Sequence, residues 1–224
     1  MSLKEWNGQK VIVKRNKSTK QFHEFLLIYA YSLISMLLFH PSAPLTFSEI
    51  IKNEGHEMRK KLKKIGISTP VLLSMTDRDL IEEYIEGGNL YRALASGGDM
   101  MLAYEAGCIT GKLHQAGYAF VDNKAQNYLA RGGLVIRTDL SFMKKTDSQY
   151  SKSMDIGSFL ASIMDLDRYD EIAKSFYEGY ISEAGSKFSF LSIVIRNVLS
   201  AGFSSSSKTT LTNMLLDSRS LIGL

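Results

Sequence analysis

Three polar residues in one short stretch have the types and spacing that phosphoryl-transfer chemistry needs. Asp122, Lys124 and Asn127 fall within "FVDNKAQN", and Asp139 follows 17 residues after Asp122 in "RTDLS". A carboxylate at Asp122 can orient a hydroxyl and accept its proton. Asn127 and Asp139 supply an amide carbonyl and a carboxylate, the hard oxygen donors that Mg2+ or Mn2+ takes. An Asp and an Asn five residues apart is a common loop pattern by itself, so the assignment depends on what else the chain provides.

A kinase-type site also needs a lysine on the nucleotide phosphates and a helix glutamate that pins the lysine's long stem. Lys14 follows "VIV" on an alternating, β-branched stretch at 10–15, which predicts a strand. Thr46 or Ser48 predicts the cap of one helix running to about 64, stopped by Gly66. Glu54, Met58, Leu62 and Ile65 share a face of that helix, so Glu54 is expected to point inward. The opposite face carries Arg59, Lys60, Lys61, Lys63 and Lys64, read as a solvated basic surface or a patch for RNA or an acidic partner. Two strands are predicted at 71–75 and 80–85, turning at 76–79 and ending at Gly87-Gly88. Beyond that break the chain reads as helices at 90–95, 100–116, 156–165, 168–184 and 188–201. Between the second and third lies a non-helical stretch with one hairpin around Arg131-Gly132-Gly133.

The fold class expected is α+β. A reduced, strand-rich lobe with one helix occupies 1–86, and a mainly helical lobe with one hairpin occupies 87–224. Lys14, Glu54, Asp122, Asn127 and Asp139 then occur in the order and on the element types that the chemistry requires.

On these residues the chain resembles a known family. "NEGHEMRKKLKKIGISTPVLLSMTDRDLIEEYIEGGNL", "GKLHQAGYAFVDNKAQNYLA" and "SMDIGSFLASIM" are similar to the small atypical kinase subunit of the KEOPS tRNA-modification complex and to archaeal and lipopolysaccharide-kinase-like proteins. The resemblance covers roughly residues 10–180. It implies a bilobal protein-kinase-like fold with ATP and Mg2+ or Mn2+ between the lobes. Asp122 would be the catalytic base and Lys124 would face the transferring phosphate. Asn127 and Asp139 would hold metal, and Lys14 would pair with Glu54. The Glu83 carbonyl and the Ile85 amide would meet adenine, and Asp155 would brace the catalytic loop. The partners implied are ATP and a protein or tRNA-modification complex, with no DNA.

The chain also departs from the pattern. No glycine-rich G-x-G-x-x-G precedes Lys14, so a first strand and loop over the phosphates are not expected to be complete. Glu82 stands where an apolar residue usually precedes the hinge, which predicts a charge facing the adenine pocket. These departures keep alive a catalytically weak pseudokinase scaffold. The apolar run Phe25–Phe39, "FLLIYAYSLISMLLF", has no charge and predicts a buried helix or weak membrane-surface contact. It is shorter than the ~20 residues of a membrane-spanning helix. Such contact would suit a sugar or lipopolysaccharide kinase. Cys108 is the only cysteine, so no internal disulfide forms. With no signal-peptide pattern at the start, a cytoplasmic setting is expected, membrane-associated at most. "GFSSSSKT" at 202–209 nearly fits a phosphate-binding loop but lacks a following sheet.

Overall fold

The computed structural model describes residues 1–15, 33, 36, 45–76 and 79–185. The predicted helix at 188–201 and the stretch at 202–209 lie outside the described residues. Of the apolar run 25–39, only Leu33 and Met36 are described; both are helical and exposed. Among the described residues no helix is long and apolar enough to cross a membrane.

The first third is built on a four-stranded antiparallel sheet in the order β1-β2-β4-β3. Strand β1 (Ser2–Trp6) pairs with β2 (Gln9–Arg15) across Asn7-Gly8, and both turn residues are left-handed, at φ 51° and 75°. Two successive left-handed residues make the tight turn whose twist suits a hairpin, and Asn-Gly is the dipeptide that adopts it most readily. The sequence reading therefore missed a first strand that "NG" announces. What replaces a glycine-rich loop is this two-residue turn. Strands β3 (Leu72–Met75) and β4 (Asp79–Glu83) complete the sheet, with Ile12 opposite Glu82 and Lys14 opposite Leu80. Side chains two apart on a strand share a face. Ile12, Lys14, Leu80 and Glu82 accordingly all line one cavity.

The single helix predicted up to 64 is two helices, α1 (Phe47–Glu54) and α2 (His56–Lys64). Thr46 and Glu49 close a reciprocal capping box at the start of α1. Gly55 is extended, at ψ 173°, and breaks the run; glycine resists a helix interior by about 1 kcal/mol relative to alanine. The break turns Arg59 inward, so it leaves the solvated basic face on which the periodicity put it. Arg59 is buried, while Lys60, Lys61, Lys63 and Lys64 stay exposed. Gly66, at φ 77°, ends α2 as expected.

The remainder packs helices around short strand pairs. Asn89 caps α3 (Leu90–Ala95), which leads to α4 (Met101–Gln115). A two-stranded sheet joins β5 (Tyr118–Ala119) to β8 (Lys144–Lys145), and β6 (Tyr128–Arg131) and β7 (Leu134–Arg137) form the predicted hairpin. Helix α5 (Gln149–Ser162) starts seven residues before the predicted 156, and α6 is Tyr169–Ala184. The first turns of α5 escape pattern reading because the residues it buries there include Ser151 and Ser153, which supply no apolar stripe. Phe159 and Phe176 stack 3.8 Å apart between α5 and α6.

Helices α4 and α6 meet backbone to backbone. A Cβ at Gly107 would lie 1.9 Å from the Phe176 carbonyl, and one at Gly179 would lie 2.0 Å from the Tyr104 carbonyl. Overpacking of this kind costs about 1–3 kcal/mol, and here rigid backbone must yield. We expect Gly179→Ala to destabilise the chain by about 3 kcal/mol. Urea denaturation checks this; a variant as stable as the parent contradicts the close approach.

Candidate functional site

A cavity of about 700 Å³ opens between the sheet and the helical part. Its walls include Ile12, Leu80, Ile85, Leu129 and Phe142, with Lys14, Glu54, Glu82, Asn127 and Asp139 among them. Glu83 and Ile85, the expected hinge contacts, also line it. Asp122 and Lys124 are not among its lining residues.

The loop that carries Asp122 is fixed from below. Asp155, wholly buried on α5, accepts the backbone amides of Phe120 and Val121 on its two carboxylate oxygens, each at 2.6 Å. His114 Nε2 lies 3.0 Å from the same carboxylate, and its Nδ1 lies 3.0 Å from the Tyr180 hydroxyl. Val121 has φ 65°, a conformation costly for a β-branched residue. The two amide bonds to Asp155 hold it there and turn Asp122 outward. Asp122 Oδ1 then pairs with Lys124 Nζ at 2.8 Å, and Asn127 Nδ2 donates to Asp122 Oδ2 at 3.2 Å.

Asp139 is left-handed as well, at φ 54°, and its Oδ1 lies 2.9 Å from the Ser141 hydroxyl, whose one proton it shares with Glu54. Thr138, next to it, bonds the Asn127 carbonyl through its amide at 2.9 Å and its hydroxyl at 3.1 Å, which sets Asn127 beside Asp139. Among the described residues no group of three or more His, Cys, Asp or Glu gathers around one point. A carboxylate with an amide is nevertheless a donor set that fits Mg2+ or Mn2+, because these ions keep several waters and take the rest of their ligands from phosphate.

Arg137 is a residue that sequence reasoning passed over. It is buried, with its guanidinium 4.0 Å above the Phe120 ring and 4.8 Å from that of Tyr128. Its Nη2 donates to the carbonyls of Asp122 and Asp139, at 3.1 and 3.2 Å. His114 and Asn53 were also missed. Asn53 Nδ2 donates to the Ser141 and Met143 carbonyls, at 3.1 and 2.6 Å, docking α1 on the chain beyond Asp139. Only its position beside Glu54 hinted at that role.

The expected pairing of Lys14 with Glu54 is not what the geometry shows. Lys14 Nζ pairs with Glu82 Oε2 at 2.6 Å. Glu54 Oε1 accepts the Leu140 amide at 2.9 Å and the Ser141 hydroxyl at 2.8 Å, while its Oε2 takes Arg59 at 3.3 Å. Arg59 also pairs with Glu82 Oε1 and donates to the Pro70 carbonyl at 2.7 Å. Glu82 therefore lines the cavity with both oxygens engaged by cations, instead of offering a bare charge to it. Burial pulls the Lys14 ammonium down, but Glu82 and then Glu54 outweigh it and raise its pKa above the ordinary 10.5. Burial pushes the Glu54 carboxyl above its ordinary 4.5, against the pull of Lys14.

No family model matches the chain. Over 127 residues it is 26% identical to a probable bifunctional tRNA threonylcarbamoyladenosine biosynthesis protein of Methanobrevibacter smithii. The match covers 53% of this chain and only 23% of that relative. Among solved structures, WaaP in complex with acyl carrier protein aligns over 98% of this chain and 83% of its own, with a TM-score of 0.52 and 12% identity. The streptomycin–ATP–APH(2")-IIa ternary complex aligns over 76% and 82%, with a TM-score of 0.47 and 13% identity. The fold is α+β and kinase-like, and the sequence similarity is to part of a tRNA threonylcarbamoyladenosine biosynthesis protein.

Two outcomes follow from this geometry. Asp155→Asn leaves one of two buried amides facing a donor, so we expect a loss of about 2–4 kcal/mol in urea denaturation. A raised lysine pKa stabilises the fold fully below the unfolded value and is lost as pH climbs through the folded one. The stability difference between the parent and Lys14→Met should therefore stay level from neutral pH to about pH 9 and shrink only above 10.5. Melting temperatures across that range test the sign.

Proposed function

We propose that the chain is an atypical protein-kinase-like enzyme that transfers the terminal phosphoryl group of ATP to an acceptor hydroxyl or to water, with a divalent metal. The observation that carries this reading is the convergence of Lys14, Asn127 and Asp139 on one cavity, beside a strained loop that presents Asp122 with Lys124. In this reading apolar walls, the Glu83 carbonyl and the Ile85 amide receive adenine. Lys14 neutralises phosphate charge. Asn127 and Asp139 hold Mg2+ or Mn2+, whose chemistry is to offset charge on the phosphate oxygens. Asp122 orients the attacking oxygen and accepts its proton, and Lys124 meets the phosphoryl group in transit.

Similarity to an archaeal threonylcarbamoyladenosine biosynthesis protein supports a setting in tRNA modification, with a protein partner there. A second reading, a scaffold without turnover, draws on the Asn7-Gly8 turn. Two residues supply no row of backbone amides to lie over phosphates. The two readings differ in nucleotide binding and phosphoryl release.

We expect Asp139→Ala to weaken Mn-ATP binding by about tenfold to a hundredfold in calorimetry. Asp122→Asn should bind Mn-ATP like the parent while losing phosphate release. Equal Mn-ATP affinity in the parent and Asp139→Ala overturns the metal assignment. Binding without any turnover by the parent, partner present, favours the scaffold.

A further inference from the structure

The contacts of Lys14 differ from those that a kinase-like site leads one to expect. A phosphate-binding lysine has a flexible four-carbon stem, and something must aim it. On the helix that should supply the aim, the Glu54 carboxylate is committed elsewhere. It receives the Leu140 amide, the Ser141 hydroxyl and Arg59. Glu82 on β4 faces Lys14 across the sheet, because Ile12 and Glu82 are register partners and Lys14 lies two residues along the same face. The ion pair it makes is 2.6 Å long, and the Glu82 side chain is 2% exposed, so solvent screens it little. Glu82 is held in its turn: Arg59 takes its other oxygen while anchored to the Pro70 carbonyl and the Glu54 carbonyl.

We infer that Glu82, fixed by Arg59, is the positioning residue that aims Lys14 at the phosphates of a bound nucleotide, and that Glu54 instead positions the backbone beyond Asp139. The aim thus comes from the strand that leads into the hinge, not from a helix. The Lys14 pKa, raised with Glu82 as the main acidic contributor, agrees with this division. Burial also pushes the Glu54 carboxyl above its ordinary value. A strand partner also removes the need for helix α1 to move before Lys14 is placed. The inference rests on the nucleotide-binding reading above.

The experiment is calorimetric titration of Mn-ATP and, separately, adenosine into the full chain, its Glu82→Gln variant and an Arg59→Met/Glu82→Met double variant. Lys14 acts on phosphates only, so the readout is the ratio of the two affinities. We expect Glu82→Gln to lower the ratio about tenfold or more, with adenosine binding retained, because a misplaced group costs up to about a hundredfold. A purely structural role would weaken both ligands alike. If the single variant does not fold, with two cations left facing one amide, the double variant serves. It exchanges a buried ion pair for apolar side chains, which proteins tolerate, and it too should lose the ratio. An unchanged ratio, or a parallel loss for both ligands, overturns the inference. A parent chain that binds neither ligand overturns the nucleotide reading and the inference with it.

Discussion

The Asp155 carboxylate is the contact on which the geometry of the site depends. Val121 sits in a left-handed conformation that its branched side chain opposes, and only a partner for the Phe120 and Val121 amides keeps it there. That partner is wholly buried on a helix that stacks Phe159 against Phe176 of α6, which in turn packs closely on α4. Strain at the loop is thus held by packing some distance away. His114 and Tyr180 extend the hydrogen-bonded chain from the carboxylate to α6.

The second constraint is electrical. Lys14, Glu82, Arg59 and Glu54 form one group at the back of the cavity, between the sheet and α1–α2, buried except for the half-buried Lys14. Removing ions from water costs several kcal/mol each, so such a group persists only when its members satisfy one another. Here Arg59 does most of the satisfying, touching both glutamates and two carbonyls. This connectivity makes the cluster all-or-none. Deleting one member leaves its partners facing an apolar interior.

Much of this was legible in the residues. Order and spacing pointed to Lys14, Glu54, Asp122, Asn127 and Asp139, and the family resemblance to Asp155; these residues lie in or under one cavity and its adjoining loop. The glycine break at 87–88, the hairpin at 131–133 and the cap at Thr46 also follow from local chemistry. The contacts of Arg59 were not legible, because helical periodicity assumes an unbroken helix and Gly55 resets the phase by one extended residue. The partner of Lys14 was hidden for a different reason. A strand register decides which of two glutamates it meets, and sequence spacing does not encode register across a long connection. Residues 149–155 escaped because buried serines carry no hydrophobic signal. The basic face survives in reduced form as Lys60, Lys61, Lys63 and Lys64.

Arg137 ties the two acidic loops together in a way that reaches beyond their static positions. One guanidinium nitrogen holds the carbonyls of both Asp122 and Asp139, and two aromatic rings flank the group. Displacing either loop would break one of the hydrogen bonds of this buried cation, so the two loop positions are coupled through Arg137. The backbones that carry Asp122 and Asp139 are thus registered against each other through a single side chain.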